Sequence, residues 1–136
     1  MQRDDSNHLG KVSVLKVDMD CFVDRKWLED KVRSIVLVCR SHGITVLSVK
    51  KCLSRQHGFH LYIEIRPGVD AEVANELQWL LGDHCSRVDF NRARIRSGLK
   101  EWNKLFWEPG RKLVTIYRDL CSQDPQLSRR YLACQR

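Results

Sequence analysis

Asp18 and Asp20 are spaced for metal chemistry. They close the run Val12-Ser13-Val14-Leu15-Lys16-Val17-Asp18-Met19-Asp20, whose apolar and polar residues alternate as in a β-strand. Successive strand side chains point to opposite faces, so the two carboxylates share one face, about 7 Å apart. Like charges so placed repel unless a cation sits between them. A hard divalent ion such as Mg²⁺ or Mn²⁺, which takes oxygen ligands, meets that need. The same spacing also occurs at a solvated strand end or at the cap of a following helix, so the pair draws its meaning from what faces it.

A second alternating run supplies a histidine. Phe59, Leu61, Ile63 and Ile65 alternate with His60, Tyr62, Glu64 and Arg66. The apolar set is expected to meet the core, which leaves His60, Tyr62 and Glu64 on the other face. On the first strand Leu15, Val17 and Met19 take the core side, leaving Lys16, Asp18 and Asp20 opposite. The acids and the histidine are thus expected to share a surface. A third acid, Asp89, lies in Val88-Asp89-Phe90. Arg92, Arg94 and Arg96 alternate just after it, and an extended segment would align them for phosphate binding. A solvated edge strand is the plainer account of that spacing.

The elements that must position these residues follow from periodicity. Residues 11–19 read as a strand. Residues 22–42 read as a helix, with Leu28, Val32, Ile35, Val36 and Cys39 at helical spacing and Gly43 at its end. Residues 44–51 and 59–66 read as strands, with Pro67-Gly68 ending the second. Residues 70–82 read as a helix. Short strands are expected near 87–90 and 113–117, and a short helix near 126–134. The order is βαββαβ. It predicts an α+β fold on the RRM-like or ferredoxin-like plan, with two helices on one sheet face and an open face opposite. A single domain over 1–136 is expected, with residues 1–10 flexible.

Composition bounds the possibilities. At 136 residues and 43% hydrophobic, the chain suits one domain with a modest core. No apolar run reaches the roughly 18 residues of a membrane span, and the polar N-terminus lacks a secretory pattern. The six cysteines form no CxxC pair and no zinc-like spacing. Reduced thiols in a cytoplasmic protein are therefore expected, the host cytoplasm if the source is a virus or plasmid. Charge is uneven: residues 1–86 hold 12 Lys and Arg against 12 Asp and Glu, while residues 87–136 hold 12 against 5. The whole +7 surplus lies in the last third. That is the footprint of a polyanion partner, or simply of a solvated cationic surface.

The motifs together resemble the archaeo-eukaryotic primase superfamily, which includes primase–polymerases. The matching segments are Val17-Asp18-Met19-Asp20, then Ser54-Arg55-Gln56-His57-Gly58-Phe59-His60-Leu61-Tyr62, then Val88-Asp89, within residues 12–98. The middle segment is the most specific and the third the least. The resemblance implies an RRM-like catalytic core with Asp18, Asp20 and Asp89 holding two divalent ions, Mg²⁺ or Mn²⁺. His60 would contact the triphosphate of an incoming nucleotide, and Ser54, Arg55, Lys50 and Lys51 would assist at the phosphates. Arg92, Arg94, Arg96, Lys100 and Lys104 are candidates for binding single-stranded or primer–template DNA. The serine lies six residues before His60, and His57 stands where a small residue is usual. The chain carries no zinc-binding module, so template binding is expected from the basic last third or from a second subunit.

Two other classes fit parts of the pattern. A rolling-circle replication endonuclease uses a similar sheet with a histidine pair and a tyrosine nucleophile. His57 and His60 are wrongly spaced for that pair, but His60, Glu64 and Tyr117 or Tyr131 keep the idea. A non-catalytic RRM-like binder would stack a base on Tyr62, although acids on the same face repel a phosphate backbone.

Overall fold

Hydrophobic alternation on three strands and helical spacing on the segments between them build one sheet covered by helices. The computed structural model describes residues 9–19, 24–53, 58–105 and 112–120. The chain runs β1 (Val12–Met19), α1 (Arg25–Ser41), β2 (Thr45–Leu53), β3 (Phe59–Val69), α2 (Ala71–Leu80), α3 (Cys85–Arg96) and β4 (Val114–Arg118). The fold is α+β, and its four strands are antiparallel in the order β1-β3-β2-β4. The expected helix at 126–134 lies outside the described residues, as does most of 1–10.

Local chemistry explains the elements. Asp24 caps α1 by accepting the Trp27 backbone N–H at 2.8 Å, which satisfies one of the orphan donors of the first turn. Gly43, at φ +74°, lets the chain turn out of α1 into β2. Val32, Ile35 and Cys39 bury one stripe of α1 against Leu15, Val17, Val49, Leu61 and Ile63 of the sheet. Burial pushes the Cys39 thiol up to about 11, as suits an inert core residue. No disulfide joins Cys39, Cys52 or Cys85; Cys21, Cys121 and Cys134 are outside the described residues.

Two sequence expectations are corrected. Pro67-Gly68 does not end β3, which continues to Val69 opposite Val12. The last β2 pairing is Thr45 with Arg66, so Pro67 lies beyond the flanking strand where no ladder donor is needed on that side. The register shift between Val12 and Val14 accommodates it on the other side. The strand expected at 87–90 is instead the first part of α3. Val88, Asn91 and Ile95 are its buried residues, a sparse helical stripe that a short apolar run around Val88 conceals.

These differences leave β1 at the sheet edge with its outward N–H groups facing α2 and α3 rather than another strand. Side chains take the place of that strand. Gln78 Oε1 accepts the Lys16 N–H at 3.0 Å, and Asp83 Oδ1 accepts the Asp18 N–H at 2.9 Å. Gln78 is fully buried and makes a two-way amide pair with Asn103, at 3.0 and 2.8 Å. Leaving such donors without a partner costs about 1–3 kcal/mol. Gln78→Ala is therefore expected to lower the unfolding free energy by roughly that amount in urea titrations. An unchanged midpoint would show that the amide pair does not hold the β1 edge.

Candidate functional site

Register places the candidate residues in rows. Asp18 of β1, His60 of β3 and Cys52 of β2 are consecutive cross-strand partners. The next row is Lys16, Tyr62, Lys50 and Thr115; beyond it lie Val14, Glu64 and Ser48. Directly opposed residues share a face, with Cβ atoms about 4.5–5.5 Å apart. The juxtaposition of Asp18 with His60, expected from alternation, is present.

His60 Nε2 lies 3.4 Å from Asp18 Oδ1, at the long end of hydrogen-bonding range. The hydrogen bond from His60 lowers the Asp18 pKa below its ordinary value; burial opposes this, while the charges of His60, Arg87 and His84 add to it. Asp18 is thus held as an anion with 36% of its side chain exposed, beside a buried imidazole. The polar face is not open throughout, as had been expected. Ser48, Cys52 and His60 are buried, and the solvent-facing part is the half-buried group Lys16, Asp18, Lys50 and Tyr62 with exposed Glu64.

Asp83, which the motif reading missed, anchors this arrangement. Its carboxylate has no exposed surface. It accepts the backbone N–H groups of Asp18 and His84 and pairs with Arg87 Nη1 at 2.7 Å. Burial raises its pKa, and the hydrogen bonds and the Arg87 charge oppose that rise. Arg87 Nη2 reaches Asn103 Oδ1 at 2.7 Å, so one chain of polar contacts runs from β1 through Asp83, Arg87 and Asn103 to Gln78. The signal in the sequence was the Asp83–Arg87 spacing of four residues on a helix start, which the expectation of a strand there obscured.

Other candidate residues are placed elsewhere. Asp89 is on α3, where its exposed carboxylate pairs with Arg92 at 3.3 Å. Two residues along a helix turn the side chain by about 200°, so with Arg87 directed at Asp83, Asp89 points away from β1. Lys51 alternates to the opposite face from Lys50, with its ammonium 5.4 Å from the Phe59 ring centre. Arg92, Arg94 and Arg96 do not line up, because they are helical. Arg92 pairs with Glu76 at 3.1 Å, and Arg94 stacks 5.8 Å from the Phe90 ring centre. Lys104 pairs with Glu101 at 2.8 Å, and Lys100 is exposed. Tyr117 is opposite the core residue Val49 and packs toward the core, away from the His60 face. Asp20, Ser54, Arg55, His57 and Tyr131 lie outside the described residues.

Among the described residues, no three His, Cys, Asp or Glu side chains converge to hold a metal ion. Of the three expected acidic ligands, only Asp18 is described at the site. Asp83 is near it but spends its oxygens on backbone donors and Arg87. A three-acid, two-ion centre therefore does not assemble from the described residues.

The pH dependence of folding follows from Asp18. Its folded pKa lies below the unfolded value, so its contribution is complete above the unfolded carboxylate pKa of about 3.9 and is lost as pH falls through the folded value. Asp18→Asn should therefore flatten the acid limb of the stability curve below about pH 4, read by thermal melts between pH 2 and 7. An acid limb identical to that of the wild type would show that the His60 contact does not bias Asp18.

No family model, curated protein or solved structure matches the chain.

Proposed function

We propose that this chain is a small primase-like nucleotidyltransferase that joins nucleotides on a DNA template in replication or repair. The observation supporting it is the cross-strand apposition of a half-exposed, anionic Asp18 with His60 on a sheet face that also presents Lys16 and Lys50. This pairing links the two most distinctive segments of the primase resemblance. In this reading the β1-α1-β2-β3 unit, with β3 between its neighbours, is the first half of an RRM-like core. α3 is an addition, and β4 extends the sheet beyond β2.

The residues take definite roles. Asp18 and Asp20 would hold Mg²⁺ or Mn²⁺, which when bound would neutralise triphosphate charge and lower the pKa of the attacking hydroxyl. His60 would donate to a phosphate oxygen brought beside it by that ion. Lys50 neutralises phosphate from the neighbouring row. Asp89 has no part in the site. Primer–template or single-stranded DNA is the macromolecular partner, a second subunit can complete the template path, and the cytoplasm, or a host's cytoplasm, is the compartment. The placement of Tyr117 on the core side disfavours it as an endonuclease nucleophile, while the other candidate, Tyr131, lies outside the described residues.

Asp18→Asn is expected to reduce Mn²⁺-dependent primer extension by about 100-fold or more, the scale of losing a charged catalytic contact, with the far-UV circular dichroism unchanged. Wild-type protein that nicks single-stranded DNA instead, or that incorporates no nucleotide with Mg²⁺ or Mn²⁺, would contradict the proposal.

The basic helix gives a separate expectation. Arg92 and Lys104 already face acids, so the cations available to a DNA backbone are Arg94, Arg96 and Lys100. Replacing these three by Ala should flatten the log–log salt dependence of single-strand binding by about 2 if all three touch phosphates. Replacing Arg92 and Lys104 should change it little. Equal effects from both sets would show that the ion pairs open on binding.

A further inference from the structure

α2 and α3 line a second cavity, of about 420 Å³, that shares no residue with the Asp18–His60 row. Its size falls in the roughly 300–1,000 Å³ range of small-molecule sites. Its floor is apolar. Val73, Leu77 and Leu80 recur at helical spacing on α2, and Ile95 comes from α3. Val73 and Leu80 stay about half exposed, so the floor is open to a ligand. Residues 81–84 join the two helices, which run back along each other as a hairpin. Glu76 pairs with Arg92 across it at 3.1 Å. One turn farther from the connection come Glu72 on α2 and Arg96 on α3. Both line the cavity, yet neither forms an ion pair among the described residues. The wall also carries Asn75, which is only 2% exposed. Its Nδ2 donates to the Val88 carbonyl at 3.0 Å, while its Oδ1 has no hydrogen-bond partner. A buried acceptor without a donor is costly.

An acid and an arginine that flank an apolar floor without closing on each other fit a small ligand that carries both charges. We propose that this cavity binds a free α-amino acid with an apolar side chain. The ammonium group brings three donors and takes Glu72 and Asn75 Oδ1. The carboxylate takes the Arg96 guanidinium, whose planar fork matches it. The side chain covers Val73, Leu77 and Ile95. A polyphosphate is disfavoured here, because Glu72 and Glu76 both line the cavity and repel it. A peptide terminus presents one of the two charges and leaves the other cavity residue unpaired. The site takes no part in nucleotidyl transfer, and the proposal does not depend on that reading.

The test is a titration of the full chain followed by the methyl resonances of Val73, Leu77, Leu80 and Ile95. It is made without DNA, because Arg96 is also among the cations available to a backbone. The probes are L-leucine, L-leucinamide, N-acetyl-L-leucine and glycine. Leucine should shift these resonances saturably. The amide and the N-acetyl compound should each bind about tenfold more weakly, the loss of one charge-assisted contact. Glycine, with no side chain to bury, should bind at least about tenfold more weakly too. Arg96→Gln should weaken leucine about tenfold and leave leucinamide unchanged, since the amide never used that arginine. Glu72→Gln should weaken leucine likewise and leave N-acetyl-L-leucine unchanged. A variant that merely misfolds would lose every ligand alike, and its resonance dispersion would show it; the comparison of the four probes on the wild type then decides. No saturable shift with millimolar leucine would overturn the proposal. So would leucinamide or N-acetyl-L-leucine binding the wild type as tightly as leucine, which would assign the cavity to a peptide terminus. Equal losses of all ligands in a folded Arg96→Gln protein would also overturn it.

Discussion

The outward backbone N–H groups of β1 must find partners away from any neighbouring strand, and the rest of the structure follows from how they do. An unpaired edge donor buried beneath helices costs free energy comparable to a lost hydrogen bond. Gln78 and Asp83 accept those donors. A buried carboxylate then needs a cation, which Arg87 provides, and Arg87 in turn leans on Asn103. Gly82, at φ +100°, allows the chain to turn tightly enough after α2 to bring Asp83 to the strand. α2, α3 and the segment after α3 are thereby tied to one edge. The end of β1 is fixed where its next side chain, Asp18, meets His60.

That anchoring separates two kinds of acid. Asp83 is sealed and structural: its oxygens are committed to backbone donors and Arg87, and breaking such a buried pair from one side costs about 3–5 kcal/mol. Asp18 is anionic but still reaches solvent, with a histidine on one side and cations in the next row. A ligand can compete for Asp18 and not for Asp83. The contrast in exposure, more than any motif, marks Asp18 as the acid available for chemistry.

Much of this was legible in the sequence because strand alternation has a fixed period. The runs around Lys16–Asp18 and Phe59–Ile65 gave the shared face without knowledge of the register, and the stripe from Leu28 to Cys39 gave α1. Three features were not legible. Val88-Asp89-Phe90 is too short to distinguish a strand from a helix, and taking it as a strand put Asp89 at the site and aligned Arg92, Arg94 and Arg96. Lys50 and Lys51 are adjacent, and only one of two adjacent strand residues can face a ligand. Gln78 and Asn103 carry no signal in the sequence, because Gln78 acts on the Lys16 backbone donor 62 residues away and Asn103 on the Gln78 side chain 25 residues away, in tertiary contacts that periodicity does not encode.

On the nucleotidyltransferase reading, a divalent ion and a nucleotide meet at Asp18 and His60. Paramagnetic broadening of backbone amide resonances by Mn²⁺, with a non-hydrolysable nucleoside triphosphate present, tests it directly. Losses are expected to centre on Asp18 and His60 and extend to Lys16 and Tyr62, with the resonances of Asp89 and Arg92 retained. Broadening centred on α3, or none at stoichiometric Mn²⁺, would contradict it.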